Sequence, residues 1–87
     1  MNDTLRILVV EDDTDLLMGT ARLLEKAGYS VDKAADGEAT FQAIQQRRPD
    51  MILLDRDLPD MDGLEVCRRI KQDPVCADMA VILISST

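Results

Sequence analysis

The chain contains no Trp, no His, one Phe and one Tyr. With so few aromatics, a domain of 87 residues must build its core from aliphatic side chains. Only two cysteines occur, Cys67 and Cys76. Lacking metal-ligand spacing and any His beside them, they read as reduced packing residues, not as a zinc site or a disulfide. Basic residues are also scarce: 10 Lys and Arg stand against 17 Asp and Glu, for a net charge of −7. That balance disfavours direct binding to nucleic acid or an anionic membrane, and suits a basic partner surface or a cation. No apolar run approaches the roughly 20 residues of a membrane span. The N-terminus, Met1 to Arg6, lacks the basic flank and apolar core of a secretory signal. A cytoplasmic location is the expectation.

The residues that are present alternate between two periods. Arg6–Val10 is a short apolar run that stops at Glu11, Asp12 and Asp13, as a buried strand does at a functional sheet edge. A helix follows, capped by Thr14 or Asp13, with Leu17, Ala21 and Leu24 on its apolar face and Gly28 as its left-handed stop. Ser30–Ala34 reads as a second strand, Asp36 and Gly37 as a turn, and Ala39–Gln46 as a second helix ending before Pro49. Met51–Leu54 is a third strand. Leu64, Cys67 and Ile70 mark a third helix, Asp73 and Pro74 break it, and Ala80–Ile84 forms a fourth strand.

Strands alternating with helices imply an α/β fold with a parallel sheet, right-handed crossovers and helices on both faces. Ligands of such sheets bind beyond the C-terminal strand ends. The residues falling there are Glu11 and Asp12, then Ala35 and Asp36, then Asp55 to Asp57, then Ser85 and Ser86. Carboxylates converging from two strands repel one another and raise at least one pKa unless a cation intervenes. Oxygen-only ligands point to Mg²⁺ or Mn²⁺ before Zn²⁺, and Mg²⁺ suits phosphoryl chemistry because it completes its shell with water and phosphate oxygen. Glu11 and Asp12 could instead be solvated residues at a helix start, and Asp60 and Asp62 read as turn-formers more than as ligands.

Four segments in order resemble the receiver domain of bacterial two-component response regulators: Val9 to Asp12 after strand one, Leu53 to Asp55 at strand three, Leu58 to Gly63 beyond it, and Ile82 to Ser85 at strand four. The resemblance covers essentially the whole chain. It implies a flavodoxin-like, doubly wound parallel sheet in strand order 2-1-3-4. It implies further that Asp55 is the phosphoacceptor, taking a phosphoryl group from a phosphohistidine on a sensor histidine kinase or a histidine phosphotransfer domain. Asp12 and Asp55 would hold Mg²⁺ directly, Glu11 directly or through water, and Asp57 through its backbone carbonyl. Ser85 would donate its hydroxyl to the phosphoryl group and shift the domain between two conformations.

Several rivals and departures accompany that resemblance. Asp55, Arg56 and Asp57 also resemble the Asp-x-Asp of haloacid-dehalogenase-type phosphatases, but Leu58 and Pro59 do not fit the positions after that motif. A calcium loop starting at Asp55 fails because Asp60 stands where Gly is required and Pro59 at a ligand position. A docking pseudo-receiver that takes no phosphoryl group would be expected to lack Asp12, Asp55 or Ser85. The family's fifth strand, its terminal Lys and its last helices lie beyond what this sequence contains, so an incomplete receiver is expected, completed by further chain or by a dimer covering the strand-four edge. Asp57, and Ser86 in place of a smaller residue, are expected to alter the phosphoryl lifetime.

Overall fold

The computed structural model describes residues 4–74 and 76–84. Their order is β1 (Arg6–Val10), α1 (Thr14–Lys26), β2 (Ser30–Ala34), α2 (Gly37–Gln46), β3 (Met51–Asp55), α3 (Gly63–Gln72) and β4 (Ala80–Ile84). The strands form one parallel sheet in the order β2-β1-β3-β4, as expected.

Alternation along the strands divides the core. Leu8 and Val10 of β1 and Ile52 and Leu54 of β3 join Val66 and Ile70 of α3 in one buried cluster, against which Phe41, Ala43 and Ile44 of α2 pack. The alternate β1 residues, Ile7 and Val9, are buried as well, so both sheet faces are covered at the centre. α1 contributes nothing to the first cluster and packs on β1 and β2 with Ala21 buried, which places it on the second face. Toward the β4 edge that face is open: Ile82 and Ile84 are 46% and 47% exposed. Cys76 is buried in the first cluster and Cys67 packs beside it, both as free thiols.

Element ends follow local chemistry. Asp13, not Thr14, caps α1, its carboxylate accepting from the Asp15 and Leu16 amides at 3.0 and 3.2 Å. Gly28 closes the helix at φ 103°, a region open to Gly at little steric cost. α2 starts two residues earlier than its periodicity predicts, at Gly37, where Asp60 accepts from the Gly37 and Glu38 amides and the cap residue Asp36 from the Ala39 amide. β3 runs one residue past the apolar stretch, since Asp55 still pairs with Ile84. No helix among the described residues is long and apolar enough to cross a membrane.

Candidate functional site

Strand register brings the acidic residues together. Val10 lies opposite both Ala34 and Leu54, so the chain leaves β1 at the level where Asp55 ends β3. The Glu11 amide donates to the Ala34 carbonyl at 3.0 Å and the Arg56 amide to the Ile84 carbonyl at 2.9 Å, anchoring both exits to neighbouring strands. One carboxylate oxygen from each of Glu11, Asp12 and Asp55 then lies within 4.8 Å of the others. Asp55 is buried, Glu11 half-buried and Asp12 exposed, so the cluster opens to solvent on the Asp12 side.

Charge crowding shows in Glu11. Desolvation, the largest cause, raises its carboxyl above the ordinary value; Asp55 and Asp12 push it further up, and the Asp13 amide, bonded to Glu11 Oε2 at 3.0 Å, pulls it back. Such a group gains from a neighbouring cation. Three hard oxygen donors, with no thiol or imidazole beside them, fit Mg²⁺ or Mn²⁺.

The loop after β3 supports Asp55 from its own backbone. The Asp57 amide donates to Asp55 Oδ1 at 3.0 Å. Asp57 also bridges to Asp62, and the Gly63 amide donates to the Arg56 carbonyl at 2.7 Å, closing the loop at its base. Asp62 caps α3 through the Leu64 amide, 2.9 Å away. Asp60 reaches out of the loop instead: Oδ1 accepts from Gly37 N–H at 2.8 Å and Oδ2 from Glu38 N–H at 3.0 Å. Those amides hold the Asp60 carboxyl below the usual range, the Gly37 N–H most of all.

Of the residues singled out from the sequence, the structure unites Glu11, Asp12 and Asp55 and sets the Asp57 amide on Asp55. Ser85 and Ser86 lie outside the described residues. Asp60 and Asp62 stay out of the cluster as helix caps, in keeping with their turn-forming reading. The reach of Asp60 to a helix 22 and 23 residues earlier has no signature in the local pattern.

Comparison with known proteins adds an independent line. Residues 7–87 match the response regulator receiver domain family. The chain is 38% identical over 81 residues to the DNA-binding dual master transcriptional regulator RpaA of Synechocystis, covering 93% of this chain and 34% of RpaA. Among solved structures it superposes with a TM-score of 0.91 on a CheY-like receiver domain protein from Methanospirillum hungatei, at 32% identity, covering 98% of this chain and 66% of that one. It also superposes with a TM-score of 0.85 on the Mn²⁺-bound form of the response regulator Rcp1, at 30% identity, covering 95% and 66%. The chain thus spans about a third of the length of the curated regulator it matches.

Proposed function

The chain belongs to the response regulator receiver domain family, a signalling domain of two-component systems, and we propose that within it Asp55 is the phosphoacceptor. One observation carries this reading: Asp55 is buried at a strand end, shares a 4.8 Å cluster with Glu11 and Asp12, and has one oxygen held by the Asp57 amide. Holding Oδ1 fixes the carboxylate plane, which favours the near-attack geometry that phosphoryl transfer needs.

In the step proposed, an Asp55 carboxylate oxygen attacks the phosphorus of a phosphohistidine. The new oxygen–phosphorus bond forms as the phosphorus–nitrogen bond breaks, and the donor imidazole keeps the electron pair. Asp12 and Asp55 would hold Mg²⁺, with Glu11 directly or through water and the Asp57 carbonyl completing the protein's share. When bound, the ion neutralises charge on the phosphoryl oxygens. Ser85 is assigned the hydroxyl that senses the phosphoryl group.

The donor in this reading is a sensor histidine kinase or a histidine phosphotransfer domain, and the exchange takes place in the cytoplasm. Residues 1–87 serve as one receiver unit, and the open Ile82 and Ile84 face favours cover by a further strand of the protein or by a second copy. Receiver membership displaces the phosphatase and calcium-loop alternatives. Incubation with acetyl phosphate and Mg²⁺ tests the reading: a stable single labelling supports it, repeated turnover of small phosphomonoesters would point to a phosphatase, and no label would leave a docking module.

A further inference from the structure

The tip of the β3–α3 loop is fastened to a helix of a different βα unit. At the start of α2 the amides of Gly37 and Glu38 go to Asp60, the amide of Ala39 to Asp36 Oδ1 at 2.7 Å, and the amide of Thr40 to the Asp36 carbonyl at 3.1 Å. Helix starts leave such amides without intrahelical partners, and a side chain of the helix's own cap ordinarily satisfies one of them. Here the cap residue Asp36 satisfies one and a distant residue takes two. Met61 seals the same junction: a Cβ on Gly37 would lie 2.7 Å from Met61 Cγ, so the methionine occupies the space glycine leaves.

The other end of this loop carries the site. Asp57, three residues before Asp60, bonds Asp55 Oδ1, while the Asp57–Asp62 bridge and the Gly63–Arg56 bond close the base. The loop is therefore pinned at base and tip, and the Asp57 amide that bonds Asp55 belongs to the base, three residues from the pin at the tip. Both Asp60 carboxylate oxygens accept from amides at the start of α2, where the helix dipole favours a negative charge, and Asp60 stands outside the carboxylate cluster.

We propose that Asp60 is a positioning residue for phosphoryl acceptance: its two-amide clasp on α2 fixes the loop that sets the Asp57 amide on Asp55. The inference rests on Asp55 being the acceptor. It makes α2 part of the scaffold of the site although α2 contributes no residue to the carboxylate cluster.

The test compares the full chain with Asp60→Ala and Asp60→Asn. Mg²⁺ binding is measured by calorimetry, exchange of the Asp57 amide by NMR, labelling rate with acetyl phosphate, and fold by circular dichroism. Supporting residues around metal sites typically cost 10–100-fold in metal affinity or activity when removed. Asp60→Ala is expected near the lower end, with about tenfold weaker Mg²⁺ binding, about tenfold slower labelling and faster Asp57 exchange. Asp60→Asn, isosteric and keeping one oxygen for α2, is expected to fall between it and wild type and to serve as the judge if the alanine variant does not fold. A folded variant that melts earlier yet binds Mg²⁺ and labels as wild type does would overturn the proposal and leave Asp60 a helix cap only. Wild type that takes no label would sink the acceptor assignment instead, with the Mg²⁺ and exchange measurements still deciding the clasp.

Discussion

Gly63 stands directly against the backbone of Asp55: a Cβ on residue 63 would lie 2.6 Å from the Asp55 carbonyl oxygen and 2.7 Å from Arg56 Cα. The close approach lets α3 begin immediately beneath the acidic strand end, and the Gly63 amide bonds the Arg56 carbonyl there. Backbone cannot give way as a flexible side chain does. Gly63→Ala is therefore expected to cost about 1–3 kcal/mol, the range of overpacking. Gly19, inside α1 with nothing but its chain neighbours and its own helix backbone within 4 Å of where a methyl group would stand, is the control: Gly19→Ala should stabilise by about 0.5–1 kcal/mol. Urea unfolding of the two variants checks both signs.

Leu54 carries the packing that holds Asp55 in place. It is fully buried one residue before Asp55, in the cluster with Val66 and Ile70. Leu54→Ala should destabilise by about 2–5 kcal/mol through lost burial and a residual cavity. A loss well under that range in equilibrium urea unfolding would mean that the site rests on a looser core than the structure shows.

Acid should loosen the Asp60 clasp. The Gly37 amide, then the Glu38 amide, lowers the Asp60 carboxyl in the folded chain. A folded value below the unfolded one means that the unfolded chain takes up the proton first as pH falls. The stabilising contribution is therefore fully present above the ordinary carboxylate value and disappears as pH drops through the lowered folded value. The melting-temperature gap between wild type and Asp60→Asn should be widest near neutral pH and narrow in that acid window. A gap that is constant with pH would contradict this.

Divalent cations should stabilise the fold through the Glu11, Asp12 and Asp55 cluster. At free Mg²⁺ about 100 times its dissociation constant, linkage predicts ~2.7 kcal/mol, reversed by a chelator. Asp12→Asn should lose most of this response. Thermal melts with and without Mg²⁺ decide the point, and an equal response in wild type and Asp12→Asn would remove Asp12 from the ligand set.

The sheet was legible from the sequence because β1, β3 and β4 are short, mainly aliphatic runs, because Asp, Gly and Pro punctuate the connections between elements, and because strict alternation with helices leaves few topologies. Convergence of Glu11, Asp12 and Asp55 followed from knowing which residues sit at strand ends. The exact end of β3 was less legible, since a charged residue ends an apolar pattern while its backbone still pairs with Ile84. The α2 start and the Asp60 clasp were not legible at all. The clasp depends on bonds across 22 and 23 residues, and it takes the first two amides of α2 while Asp36 caps the third locally, whereas propensity and periodicity report only near neighbours.

Mapping the phosphoryl group by mass spectrometry tests the central claim most directly. After incubation with acetyl phosphate and Mg²⁺, wild type should gain one phosphoryl group, stable in acid and labile in base, on the peptide containing Asp55, and Asp55→Asn should gain none. A phosphoryl group on another residue, or its persistence in Asp55→Asn, would contradict the account.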